Sequence, residues 1–174
     1  MAQLEAVEVE GLPSSIESFV ELRDRMADKP QGAAAAMVVA LMVYAEDDEL
    51  GKQCLAAAAH PERRQDGSGG YQGQTLRPSD WNLIKSQIGS SPHIPRSYVK
   101  GTAPERGYQL PASPYVFEFS DNLHSGDSQA GPYKVFIECS GADTPRPVTV
   151  ARDDQGAWRA REWSTLIVGV EPPA

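Results

Sequence analysis

The side chains able to do chemistry in this chain are spaced in ways that argue against most of it. The three histidines, His60, His93 and His124, stand far apart. None has a partner three or four residues away, the spacing at which one helix face offers two ligands to a metal. His60 falls where a helix is predicted to end, a place for a cationic ring beside the helix dipole. The other two fall in predicted loops. Cys54 and Cys139 lack Cys-x-x-Cys spacing, and both occupy positions that read as small buried hydrophobes. Ser140-Gly141-Ala142-Asp143 follows a predicted strand and sets a hydroxyl beside a carboxylate. A nucleophile elbow needs a glycine two residues before the serine and a helix after it. Glu138 and Pro145 stand there instead, so the segment reads as a turn. His124-Ser125-Gly126-Asp127 reads as a loop whose Asp and Gly satisfy local backbone groups.

Two further runs fail for similar reasons. Glu46-Asp47-Asp48-Glu49 carries the oxygen ligands of a hard cation. Consecutive turn positions point in different directions, however, so these carboxylates read as a solvated helix cap. Gly67-Ser68-Gly69-Gly70 lacks both the Lys-Ser/Thr that follows a phosphate loop and the apolar strand that precedes one. The sequence therefore predicts no catalytic residue, no metal ligand and no cofactor, and it leans away from an enzyme.

What remains is suited to binding. On the last predicted hairpin Arg159, Arg161 and Trp163 alternate onto one strand face, a patch for an anion or a partner. Trp81, Tyr115, Phe117, Trp158 and Trp163 are the aromatic residues that would line a cavity between sheet and helices. Charge is distributed unevenly. The net charge is −8, and residues 1–60 alone hold eleven carboxylates against four bases. Such a surface repels phosphate backbones, which excludes duplex DNA or RNA, and it suits a basic protein partner. The N-terminal residues show no basic region followed by an apolar one, so no secretory signal is read and a reducing, cytoplasmic setting is expected.

These residues need a scaffold, and its centre is the apolar stretch Gly32 to Glu46, the most continuously hydrophobic in the chain. A helix apolar all round is buried on every side or lies in lipid. This one is about two-thirds of the ~20 residues a membrane span requires, so it is predicted as a core helix and no membrane association is expected. Before it, Ser14 and Glu17 form a capping box, with Ile16, Phe19, Val20, Arg23 and Met26 inward and Glu17, Glu21, Asp24 and Arg25 outward. After it, Asp47 or Asp48 caps a helix that stops at His60-Pro61. That helix has only Lys52 as a base, too little for a DNA-reading helix-turn-helix.

The chain thus reads as a single α+β domain, residues 1–174. It has a helical part at 13–60, a glycine-rich loop at 61–77, a helix at 78–90 and a proline-rich connection at 91–113 with a short edge strand at Ser97–Lys100. An antiparallel meander of four to five strands at 114–171 completes it. Its strands are Tyr115–Ser120, Tyr133–Cys139, Val148–Arg152, Ala157–Trp163 and a closing Thr165–Val170. Residues 1–12 read as a short strand or an ordered tail. The sequence assigns no oligomeric state.

Three blocks carry a family resemblance: Pro30-Gln-Gly-Ala-Ala with Tyr44-Ala-Glu-Asp-Asp-Glu-Leu-Gly-Lys-Gln-Cys-Leu55, then Lys134 to Val150, then Gly156 to Val170. Together they resemble an uncharacterised bacterial family, the domain of unknown function numbered 6935, over nearly the whole chain. The resemblance implies no activity and transfers no functional residue. Helices followed by a curved antiparallel sheet with a tryptophan hairpin also resemble the NTF2-like fold, which hosts many functions. The leading expectation is a soluble, non-enzymatic binding protein with an acidic helical face. The alternatives are a small-molecule pocket protein or enzyme of NTF2-like type, and an immunity-type protein that neutralises a basic toxin.

Overall fold

The apolar stretch forms a helix, α2, from Pro30 to Glu46. Proline opens it at a position where no amide donor is needed and its fixed φ already suits a helix. Every residue from Gln31 to Tyr44 is buried. The computed structural model describes residues 1–174, and in it α2 is enclosed by α1 (Ile16–Met26), α3 (Asp48–Ala58), α4 (Pro78–Ser90) and the strands β7 (Tyr133–Ile137), β8 (Arg146–Arg152) and β9 (Trp158–Glu162). Burial on all sides is what a helix with no polar face requires. The fold is α+β.

The caps of α1 and α3 lie within one residue of expectation, whereas α4 begins at Pro78 after Arg77, with no side-chain cap from Ser79. The capping box of α1 uses Ser15 and Ser18 in place of Ser14 and Glu17: Ser15 Oγ accepts from the Ser18 amide (3.1 Å) and Ser18 Oγ from the Ser15 amide (3.2 Å). Glu17 is thereby left exposed. Asp47 caps α3, its Oδ1 accepting from the Leu50 amide at 3.1 Å. Within α3, Gly51 lies directly against the backbone of Tyr44, so α2 and α3 touch where no side chain fits between them.

The principal sheet is antiparallel, in the order β1-β6-β7-β8-β9, with β1 at Ala2–Gln3 and β6 at Phe119–Asp121. The meander predicted from periodicity accounts for four of these strands. The fifth comes from the N-terminus, not from Thr165–Val170. That segment contains a 3₁₀ turn, Ser164–Ile167, which buries Leu166 and Ile167. It finds no sheet edge to join, because the outer side of β9 is already occupied. The Trp158 amide donates to the Ala27 carbonyl (3.0 Å) and the Ala160 carbonyl accepts from the His60 amide (2.7 Å). Arg146 instead ties down the carbonyls of Thr165 and Val168 (2.6 Å each) and Gly169 (2.9 Å).

Three more local expectations are corrected. Tyr115–Ser120 is two short strands, β5 (Tyr115–Phe117) pairing with β2 (Val7–Val9) and β6 pairing with β1 and β7. Ser97–Lys100 is not an edge strand. Pro95 opens a 3₁₀ turn, Ile94–Tyr98, that packs against α2. The glycine-rich segment expected as a loop is a hairpin, β3 (Arg64–Tyr71) and β4 (Gln74–Leu76), lying across α3. Its turn residues Gln72 and Gly73 have φ of 52° and 76°, the positive values of the tight turn that matches strand twist. Gly70 meets the Gln74 carbonyl so closely that a side chain there would collide with it.

Candidate functional site

The acidic face is built on α1. Phe19, Leu22 and Arg23 are its buried residues, while Glu17, Glu21, Asp24 and, just past its end, Asp28 are exposed. Intervals of four, three and four place these carboxylates in one row opposite the core. Arg25 is the exposed base beside them. The N-terminal arm, with Glu8 and Glu10 exposed, borders the Arg25 side of the helix. On the other side Ile16 and Val20 face the end of β3 across an open groove of about 420 Å³, lined also by Glu17, Gln53, Tyr71 and Gln72. The groove is therefore half apolar, and Glu17, the first carboxylate of the row, is part of its lining.

Beneath the groove lies a knot of guanidinium groups. Arg23 Nη1 donates to the Ala57 carbonyl at 2.8 Å, and Arg64 donates to the carbonyls of Ala59 (2.6 and 3.0 Å) and Ala57 (3.2 Å). These carbonyls end α3, where the helix dipole is negative. Arg159 Nε lies 3.4 Å from Asp153 Oδ2, while Asp24 Oδ1 lies 2.9 Å from Arg23 Nη2 and 3.6 Å from Arg159 Nη2. Burial, then the two neighbouring cations, pushes Arg64 down to about 10. Arg159 is lowered by burial and by Arg23. The Arg23 guanidinium also sits 5.5 Å from the centre of the Tyr71 ring, so the same side chain that anchors α1 positions the groove's aromatic wall.

The residues singled out from sequence do not converge. Trp158 and Trp163 are 1% and 3% exposed, and Phe117 is buried as well. The space between sheet and helices that these rings were expected to line is filled by α2. Trp81 is half-buried, meeting Tyr44 edge-on at 5.3 Å beneath Lys52. Tyr115 is half-buried in the β2–β5 pair, opposite Val9. The patch read from Arg159, Arg161 and Trp163 is not a free face. Arg159 is 7% exposed inside the guanidinium knot, and Arg161 reaches Glu62 at 3.4 Å. A bulge opposite Thr149 and Val150 breaks the two-residue alternation at Arg161.

His60 follows the end of α3, where its Nδ1 accepts from the Glu62 amide (3.1 Å) and its Nε2 meets the Arg152 carbonyl (3.0 Å). Both cysteines are free and buried, and burial raises the Cys54 thiol to about 12. No three His, Cys, Asp or Glu side chains gather as a metal site. No helix is long and apolar enough to cross a membrane.

Sequence reasoning placed the carboxylates of α1 outward but missed Ile16, Val20, Arg23, Arg64 and Tyr71 as a unit. One signal was available: Tyr71 is the lone aromatic in an otherwise polar, glycine-rich segment, and a ring there needs a surface to pack on.

Comparison with known proteins gives one match. The model of a family described as Domain of unknown function (DUF6935) matches residues 11–174. No curated protein and no solved structure matches the chain.

Proposed function

We propose, from the premise that the chain belongs to the DUF6935 family, that it is a soluble, non-enzymatic binding protein whose α1 face engages a basic protein partner. The observation that carries this reading is the exposed row Glu17, Glu21, Asp24 and Asp28, which meets the half-apolar groove at Glu17. Carboxylates there steer a basic partner by long-range attraction, and Ile16, Val20 and Tyr71 offer an apolar side chain a place to anchor. A reducing, cytoplasmic setting fits two buried thiols that are not joined. An immunity-type role is the form of this reading in which the basic partner is a toxin.

The test is affinity capture at several salt concentrations with the wild-type chain and with an E17K/E21K double variant. Both substitutions are at exposed positions, so the variant folds. The expected result is a basic protein held by the wild type, released as salt rises, and not held by the variant. Equal retention by both chains, or no specific protein at any salt concentration, overturns the reading.

A further inference from the structure

His93 takes no part in the α1 face. It stands just before the 3₁₀ turn Ile94–Tyr98, its ring stacked on Tyr108 with centroids 5.1 Å apart and planes 15° from parallel. Its Nε2 is enclosed and has no hydrogen-bond partner. An enclosed Nε2 is tolerable as a bare lone pair, with the proton on Nδ1, and costly as an N–H that finds no acceptor. Tyr108 cannot supply one, because nearly parallel planes point an Nε2–H past the ring and not at its face. No charge compensates. Of the elements packed on the turn, α2 is uncharged where it is buried and Ser164–Ile167 carries no charge. Arg96, on the turn itself, is directed to Glu46 at 3.6 Å, and Glu105 and Glu171 act on the Tyr108 hydroxyl. Burial alone lowers the His93 imidazole below its ordinary value.

Tyr108 in turn clamps a strap. It is completely buried, and its φ of 56° is a left-handed value that a residue with a side chain keeps only where its surroundings hold it. Its hydroxyl donates to the Glu171 carbonyl. Gly141 leaves the room for this bond, since a side chain there would collide with that hydroxyl and with Val170. The Glu171 amide donates to the Gly141 carbonyl (2.9 Å) and the Ala174 amide to the Pro104 carbonyl (3.0 Å). Residues 169–172 thereby line an open groove of about 550 Å³ together with residues 141–144 and Arg146.

We propose that His93 is the pH-sensitive catch of this strap: protonation drives its ring out of the Tyr108 stack, Tyr108 loses its backing, and residues 169–174 part from Gly141 and Pro104, opening the groove. The closed form binds the proton less tightly than the open one. The strap is therefore fully held above about pH 6.5 and loosens as pH falls below it.

Amide hydrogen exchange followed by NMR from about pH 7.5 to 5.5, above the ordinary range of carboxylate titration, tests the catch. Protection of the Glu171 and Ala174 amides, corrected for the intrinsic pH dependence of exchange, is expected to fall several-fold in the wild type. The limit is about tenfold for each pH unit by which His93 is lowered. H93F keeps a stacked ring that does not titrate, so its protection should not change over the range. H93Q serves the same purpose with a smaller side chain, and unchanged dispersion of the remaining amide signals verifies either fold. Y108F should already have lost protection at the upper end of the range. The proposal is overturned by wild-type protection that does not change with pH, by an equal fall in H93F or H93Q, or by full protection in Y108F.

Discussion

Helices α1 and α2 are separated by only residues 27–29, yet they are held by opposite means. α2 is buried from Gln31 to Tyr44 and has no charged side chain in that span. It is fixed by apolar contact in every direction, and no face is left for anything else. α1 buries Phe19 and Leu22 in the core and secures itself with Arg23, a charged side chain reaching the last carbonyls of α3. Two of its faces therefore remain open, one to the groove and one carrying the carboxylate row. An element can present a surface to a partner only when something other than all-round burial holds it in place. That difference puts the functional reading on α1.

The harshest way to break the comparison is to charge α2. Val38→Asp or Leu41→Asp places a carboxylate where both residues are completely buried, with no cation nearby to pair it. The cost of an unpaired buried charge, about 3–5 kcal/mol or more, approaches the whole stability of a domain. Neither variant is expected to give a cooperative urea or thermal transition followed by circular dichroism. A cooperative, native-like transition in either one would move α2 from the centre of the fold to its margin.

Next in size is Gly51→Ala. In the interior of an exposed helix alanine is better than glycine by about 1 kcal/mol. Here the added methyl meets the Tyr44 backbone, and a backbone cannot rotate away as a flexible side chain can. Separating α2 from α3 should cost about 2–3 kcal/mol, the order of an overpacked core, read as a lower urea midpoint. A stabilised variant would show that the two helices part easily.

The same contrast explains what could be read from the sequence. α2 was legible because one rule, apolarity all round, decides its burial without reference to any partner. The strands β7, β8 and β9 were legible from alternation, and the Asp153–Gly156 turn from its glycine, which has φ of 81°. The β3–β4 hairpin was not, since its residues are polar and glycine-rich and its pairing rests on a two-residue turn at Gln72-Gly73. The closing strand failed for a reason outside its own residues: Ala27 and His60 had already covered the edge it needed. The groove and the guanidinium knot join α1, the end of α3, β3 and β9, segments whose meeting no local pattern encodes. Arg159 shows this best. Alternation alone gave it an outward face, and only the approach of α1 and β3 buries it.

Arg23→Met tests the other side of the comparison with the smallest expected effect. The methionine keeps the apolar stem against the core and removes the charge. Three contacts are lost: the bond to the Ala57 carbonyl, the pair with Asp24 and the stack on Tyr71. Each loss is cushioned. The Ala57 carbonyl still accepts from Arg64 at 3.2 Å, and the Asp24 carboxylate is exposed enough to be solvated. One term acts in the other direction. Arg23 is among the charges that lower Arg64 and Arg159, so its removal relieves repulsion within the knot. The balance should be a loss of about 1–2 kcal/mol, near the worth of one charge-assisted hydrogen bond, with cooperativity retained. The Tyr71 ring, no longer held by the guanidinium, should show faster side-chain motion by NMR, and the groove should lose definition before the fold loses stability. A loss as large as that from Val38→Asp would mean that α1 belongs to the core as fully as α2, leaving no separately held face for a partner.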